Sequence, residues 1–253
     1  IRRAFGPEDL LPLLHQHGVQ RTVLVQTRSS VDESREFLAL AAANEFIAGV
    51  VAWVDLTAGD VAAVLAELAR APGGDKLVGI RHQVHDEPDA RWLLRDDVQR
   101  SVGEVGRAGL AFDFLVRARE LPTAAETARL HPDTRFVVDH LAKPPIRAGG
   151  SDEWERGMQA IASLPNVSSK LSGLVTEADW QSWTPAELAP YAARALEWFG
   201  DGRLMVGSDW PVCLLAGSYG DVVDGYVAAL GDLPDETLER ILARNAIDFY
   251  ELT

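Results

Sequence analysis

The sequence has little cysteine, no long apolar run and no excess of positive charge. Its 253 residues include one cysteine, Cys213, so no internal disulfide can form, and we expect a reducing, cytoplasmic location. Because no run of about 18 apolar residues occurs, no segment is expected to cross a membrane. The net charge of −14 argues against nucleic acid and anionic membranes as partners. We therefore expect a small-molecule substrate. Assembly into a homo-oligomer is compatible with the sequence.

Short apolar runs alternate with amphipathic stretches along the whole chain. Their starts are roughly 24 to 37 residues apart, which is the period of a strand–helix unit. Strict alternation predicts one domain over residues 1–253, built on a parallel sheet. A (β/α)8 TIM-like barrel is the favoured α/β form, and an open doubly wound sheet is the alternative. The seven predicted strands are 21–26, 48–54, 77–82, 111–116, 135–140, 167–171 and 204–209.

The helices carry readable start and packing signals. Asp60 can cap one helix, and Thr184, followed by Pro185 and by Glu187, forms a capping box for another. The last helix is expected from about residue 234 to residue 250. The apolar stripes predicted to face the core include Trp154, Met158 and Ile161 in one helix, and Leu238, Ile241, Leu242 and Phe249 in the last.

Polar residues are concentrated at the ends of the predicted strands. In a parallel barrel these ends meet at one rim, although they are far apart in sequence. A random scatter of surface charge would not favour one end of each strand, so this shared position indicates an active site. The residues concerned are Gln26, Arg81, His82, His140, Lys170 and Asp209.

Asp209 ends an apolar run and is followed by Trp210 and Pro211. Taken alone, it is explained equally well as a structural residue in a helix cap or turn and as an active-site carboxylate. Side-chain alternation places Asp209 on the same face as Gly207, which leaves room inside a barrel. We therefore expect Asp209 and His140 to point inward. Asp139 would face the helices or support a cation at the rim, and a structural hydrogen-bonding role is favoured for it.

Several other residues have competing interpretations. His85 is a loop residue or a pocket residue, whereas Cys213 is expected to be a buried small residue, because no base is evident beside it. Trp53 and Trp210, at strand ends, are pocket walls or core residues. His131 falls at the opposite end of the predicted barrel and is left out of the site.

Six segments together resemble a known family. They are GIRHQVHDEPDARWL (79–93), AFDFLVR (111–117), FVVDHLAKP (136–144), KLSGLVTEADW (170–180), LMVGSDWPV (204–212) and ARNAIDFYEL (243–252). They look like the amidohydrolase superfamily, and more narrowly its amidohydrolase-2 branch, which holds sugar-acid lactonases and the 2-pyrone-4,6-dicarboxylate hydrolase. The DHLAKP and GSDWPV segments in combination are the most specific part of the resemblance.

The resemblance implies a hydrolase that opens a cyclic ester, above all a sugar-acid lactone. Asp209 would take a proton from the attacking water, and His140 would polarise the carbonyl or orient that water. A single divalent metal such as zinc, held by His140 and Asp209, and a metal-free site are both compatible with the family. The expected substrate-binding residues are Arg81, His82, Lys143, Lys170 and Trp210.

The sequence departs from the family pattern at its first strand. Members open with a strand ending in His-x-His, and here only His15-Gln16-His17 has that spacing, inside a helical pattern. Closure of the barrel needs eight strands, so we expect residues upstream of Ile1 or another chain to fill the gap. Strands 21–26 and 204–209 should then flank an opening without pairing. The alternative functions are a metal-dependent decarboxylase and an impaired barrel that only binds a small acid or sugar.

Overall fold

The computed structural model describes residues 2–253. Its seven strands are parallel and pair in the order of the sequence. Sequential order excludes the doubly wound alternative, in which the strand order reverses at a switch point. The predicted TIM-like α/β architecture is confirmed. The strands are β1 (Thr22–Val25), β2 (Ile47–Ala52), β3 (Leu77–His82), β4 (Ala111–Phe114), β5 (Phe136–Val138), β6 (Val167–Leu171) and β7 (Leu204–Val206).

The two edges of this sheet are β1 and β7. Pairing runs from β1 through to β7, and within residues 2–253 the two edge strands are not hydrogen-bonded to each other. The sheet therefore curls without closing, and the expected opening between the first and last strands is confirmed.

Five strands, β1, β2, β4, β5 and β7, end one to three residues earlier than the sequence predicts. Strand β5 stops at Val138 and β7 stops at Val206, where 135–140 and 204–209 were expected. The backbone is the reason, because His140 and Asp209 have φ values of 55° and 54°, which no strand residue can adopt. Both side chains therefore lie on loops at the carboxyl edge of the sheet.

Within residues 2–253 ten helices surround the strands, and two of them begin directly after a predicted cap residue. The box at Thr184 is present, since its backbone N–H donates to Glu187 Oε2 over 2.8 Å. Asp60 precedes a helix without a capping hydrogen bond from its side chain. The helices are α1 (Pro7–Gln16), α2 (Val31–Ala43), α3 (Val61–Leu68), α4 (Asp96–Arg107), α5 (Leu121–Leu130), α6 (Asp152–Ala162), α7 (Pro185–Phe199), α8 (Tyr219–Leu230), α9 (Asp235–Glu239) and α10 (Asn245–Tyr250).

A π-helical segment, Arg240–Arg244, joins α9 to α10 and makes one continuous helical stretch. Ile241 is fully buried as predicted, but Leu242 is 39% exposed, so its predicted inward position is wrong. A π-turn contains an extra residue, which rotates the side chains around it away from the 3.6-residue stripe.

The two faces of the sheet bury different partners. Outward side chains such as Phe112 and Phe136 pack against the helices, where the predicted stripe of α6 is also buried. Inward side chains such as Val51 and Val137 pack against Tyr250 of α10, so the last helix covers part of the inner face. No helix among residues 2–253 is long and apolar enough to cross a membrane.

Candidate active site

The loops after β5 and β7 bring His140 and Asp209 together. His140 Nε2 lies 3.7 Å from Asp209 Oδ1, which is near but too long for a direct hydrogen bond. The His140 side chain is 11% exposed and that of Asp209 is 20% exposed, so both are largely buried but accessible to solvent. The two residues predicted as catalytic therefore face each other at the rim.

The loop after β6 fixes the orientation of the His140 ring. Ser172 Oγ lies 2.8 Å from His140 Nδ1, and this hydrogen bond is buried. Gly173 has φ of +60°, and a Cβ added to it would lie 2.7 Å from His140 Cγ, so only glycine leaves space for the imidazole. Burial lowers the pKa of His140, although the carboxylates of Asp209 and Asp139 oppose that effect. A neutral ring with one nitrogen held by Ser172 is the result.

Residues 140–143 form an unusual left-handed turn. His140, Leu141, Ala142 and Lys143 have φ values of 55°, 49°, 55° and 53°. Residues other than glycine rarely adopt this conformation, which costs roughly 1–2 kcal/mol each. Lys143 ends the turn, and its Nζ lies 3.6 Å from Glu177 Oε1.

An ion network lies on the inner face of the sheet, below this turn. Arg81 Nη1 is 2.7 Å from Asp139 Oδ2, and Lys170 Nζ is 2.6 Å from both Asp139 Oδ1 and Asp113 Oδ2. The Tyr250 hydroxyl of α10 donates to Asp113 Oδ2 over 2.7 Å. The suggestion that Asp139 faces the helices is wrong, because the alternation of β5 continues inward through this residue. The other suggestion fits, since Asp139 supports two cations.

Burial and the neighbouring charges of this network shift the pKa values of its members in opposite directions. Burial acts to raise the pKa of Asp139, but Lys170 and Arg81 outweigh it and hold that pKa well below its usual range. Burial raises the pKa of Asp113 in spite of Lys170. Burial alone would lower the pKa of Lys170, yet the two carboxylates keep it above its ordinary value. Lys170 therefore stays charged, with its ammonium group between two carboxylates.

His82 is held by three neighbours. Trp53 Nε1 donates to His82 Nδ1 over 2.9 Å, and His82 Nε2 lies 2.7 Å from Glu87 Oε1. Its ring also stacks on Trp92 at 4.3 Å. Both ring nitrogens are thus engaged by protein groups, and Trp53 serves as a partner of His82.

Trp210 lies directly after Asp209 and is half-buried. Its ring meets Phe5 edge-on, with 5.3 Å between ring centroids, and its indole N–H is buried without a hydrogen-bond partner in residues 2–253. The indole ring of Trp210, one residue after Asp209 in the chain, therefore packs on Phe5.

The remaining candidates lie outside the reacting pair. His85 is in a 3₁₀ turn, where burial and then Lys143 lower its pKa. Cys213 is fully buried and burial raises the pKa of its thiol to about 12, which confirms its interpretation as a small buried residue. His131 lies 2.9 Å from Gln99 through its Nε2, between α4 and α5.

The fit of these residues to a metal ion is incomplete. His140 Nε2 and Asp209 Oδ1 are two suitable donors, but Ser172 engages the other nitrogen of His140. No group of three or more His, Cys, Asp or Glu side chains in residues 2–253 is arranged to hold a metal. A catalytic zinc normally takes three protein ligands, so the described residues do not form such a site.

The fold and site define a class of enzyme. The amidohydrolase family model matches residues 1–252, and the chain therefore belongs to the amidohydrolase family. The predicted membership is confirmed, and with it the prediction of an amidohydrolase-type hydrolase.

Three relatives give this membership more detail. The L-fucono-1,5-lactonase of Burkholderia ambifaria is 41% identical over 257 residues, covering 100% of this chain and 87% of that protein. The L-fucono-1,5-lactonase of Burkholderia multivorans is 39% identical over 232 residues, covering 88% and 77%. A crystal structure of an amidohydrolase from Burkholderia multivorans with bound zinc superposes with a TM-score of 0.94 and 35% identity, covering 99% and 90%.

Sequence reasoning missed the residues that support the site from other elements. Ser172 and Gly173 lie inside a segment that carried the family resemblance, so their place after β6 was a usable signal. Asp113 and Tyr250 lie in two other such segments, but the sequence does not reveal their contact, which exists only once α10 folds under the sheet.

Proposed function

We propose that this protein hydrolyses a sugar-acid 1,5-lactone, with L-fucono-1,5-lactone as the first candidate substrate. The protein is a hydrolase of the lactonase type. The observation that carries the choice of substrate is the near-full-length similarity to two L-fucono-1,5-lactonases. The facing pair of His140 and Asp209 is compatible with this chemistry.

Lactone opening needs a base for water and a group that meets negative charge on the carbonyl oxygen. In the proposed reaction Asp209 accepts a proton from water as the water oxygen bonds to the lactone carbonyl carbon. The carbonyl oxygen becomes an oxyanion, to which the N–H of neutral His140 or the ammonium of Lys143 donates. The bond to the ring oxygen then breaks, the ring oxygen takes the proton from Asp209, and the hydroxy acid leaves.

We propose the five predicted residues Arg81, His82, Lys143, Lys170 and Trp210 as the substrate-binding set. Lys143 and Trp210 are the members that adjoin the reacting pair through the two loops. Arg81 and Lys170 are 12% exposed at their side chains and can reach substrate only while paired with Asp139. His82 would act through the small exposed part of its ring.

The steps above use protein groups only, and metal dependence is a separate proposal. A structure of the relative from Burkholderia multivorans contains zinc, but His140 and Asp209 alone fall short of the three protein ligands that a catalytic zinc normally takes. Metal analysis of the purified protein, combined with activity after chelation, decides between a zinc-containing form and a metal-free one.

A panel of sugar-acid lactones with a pH-indicator readout tests the proposed function. We expect acid release from L-fucono-1,5-lactone above the uncatalysed rate. Binding of the lactone or its acid without any turnover would favour the impaired-barrel alternative, and carbon dioxide release from an aromatic acid would favour the decarboxylase.

A cytoplasmic location and a role in carbohydrate metabolism also belong to this proposal. The single cysteine is buried and unpaired, as is usual in a reducing compartment. Cell fractionation tests the location, and size-exclusion chromatography tests the homo-oligomer.

A further inference from the structure

The left-handed turn at residues 140–143 carries two members of the proposed site. His140 is at its start and Lys143 at its end, and none of the four residues is glycine. Such a backbone persists only where its surroundings hold it in place. What holds the turn therefore determines where the imidazole and the ammonium group lie.

A side chain from the outer helical layer reaches this turn. Trp154 Nε1 of α6 donates to the carbonyl oxygen of Leu141 over 2.6 Å, and both residues are fully buried. The indole is itself fixed, because its ring packs on Tyr191 at 5.4 Å and on Trp198 at 5.6 Å. The donor is thus presented rigidly to the middle of the strained turn.

We propose that Trp154 is a positioning residue for lactone hydrolysis, acting by holding the left-handed turn that presents His140 and Lys143. The proposal rests on the proposed function of this site. A purely structural Trp154 would contribute apolar bulk to the core, and its N–H would then be dispensable for the rate.

The variant Trp154→Phe removes the N–H donor and keeps most of the apolar ring. Trp198→Phe is the matched control: its side chain is half-buried in the same aromatic cluster, and its indole N–H makes no hydrogen bond within residues 2–253. We expect Trp154→Phe to lower kcat by about tenfold or more, because small displacements of reacting groups are costly, with a smaller change in KM. Trp198→Phe should keep its kcat within about twofold of wild type.

A second variant separates positioning from general damage to the core. Ala142 has φ of 55°, and glycine adopts that conformation without the cost that alanine incurs. Adding Ala142→Gly to Trp154→Phe should therefore recover part of the lost kcat. No recovery, or equal kcat values in Trp154→Phe and Trp198→Phe, would overturn the proposal.

Hydrogen–deuterium exchange in residues 139–143 gives a readout that does not depend on activity. We expect faster exchange there in Trp154→Phe than in wild type and in Trp198→Phe. If this difference appears but wild type opens no lactone, the proposed function is wrong. The role of Trp154 in stabilising the turn is then still supported. Equal exchange in all three proteins would overturn the role of Trp154 even if wild type is an active lactonase.

Discussion

The imidazole of His140 is held from two sides by groups on different loops. Ser172 Oγ is 2.8 Å from Nδ1, and Asp209 Oδ1 is 3.7 Å from Nε2. A serine hydroxyl can donate or accept, so it satisfies either neutral tautomer of the ring. Because burial lowers the pKa of His140, the ring is neutral at neutral pH and leaves Nε2 to interact with substrate or water beside Asp209.

Arg81 is the residue whose substrate role and structural role can be separated most clearly. We expect Arg81→Met to raise KM for the lactone more than it lowers kcat, because it removes the guanidinium N–H groups proposed to hold a substrate hydroxyl. The variant also leaves Asp139 without one of its two cations, and loss of a buried partner typically costs about 3–5 kcal/mol. Steady-state kinetics and thermal unfolding measure the two effects. An unchanged KM with a lower Tm would make Arg81 a structural residue alone.

At the scale of elements, the strands were predictable, whereas five of their seven carboxyl ends were not. Apolar runs bounded by polar residues identify all seven strands, because a strand buried on both faces needs such a run. The extra residues assigned to β5 and β7 enter turns with positive φ, which the polar pattern around His140 and Asp209 does not reveal. The inward position of Leu242 failed for a similar reason, since a π-turn has no simple sequence signature.

The turn after β6 supports the turn after β5, and glycine makes this possible. Gly173→Ala should lower kcat strongly, because its Cβ would lie 2.7 Å from His140 Cγ. Gly149→Ala is the matched control, with φ of +83° and ψ of 16° in the left-handed region and open space around the added atom. Both variants should lose roughly 1–2 kcal/mol of unfolding free energy to the left-handed backbone.

Kinetics and denaturant unfolding of the two glycine variants distinguish the clash from the backbone cost. Activity should fall in Gly173→Ala and be retained in Gly149→Ala, although both variants carry a similar backbone cost. Full activity in Gly173→Ala would mean that the His140 ring does not depend on this space.

At the scale of the whole molecule, buried histidines connect stability to pH. Burial lowers the pKa of His85, His131 and His140 below their ordinary value of 6.5. The unfolded chain therefore binds protons first as the pH falls through that value, which favours unfolding. This contribution is absent at higher pH, where the histidines are neutral in both states.

His131 allows a test outside the site, since it bonds to Gln99 between two helices. Wild type should exceed His131→Gln in Tm by more at pH 7.5 than at pH 5.5, because only wild type loses stability by protonation of this residue in the unfolded state. Comparing the two proteins at each pH cancels the effect of the net charge. A gap that widens as the pH falls would mean that the pKa of His131 is raised on folding.

The central claim is that Asp209 is the base in lactone opening, and its most direct test is the rate of acid release from L-fucono-1,5-lactone by Asp209→Asn. The substitution keeps the size of the side chain and removes its basicity, so we expect a loss of about 10²–10⁴-fold in kcat with an unchanged fold. Asp248→Asn, on the exposed side of α10, makes the same charge change and should retain wild-type kcat. Turnover by Asp209→Asn near that of wild type would contradict the account.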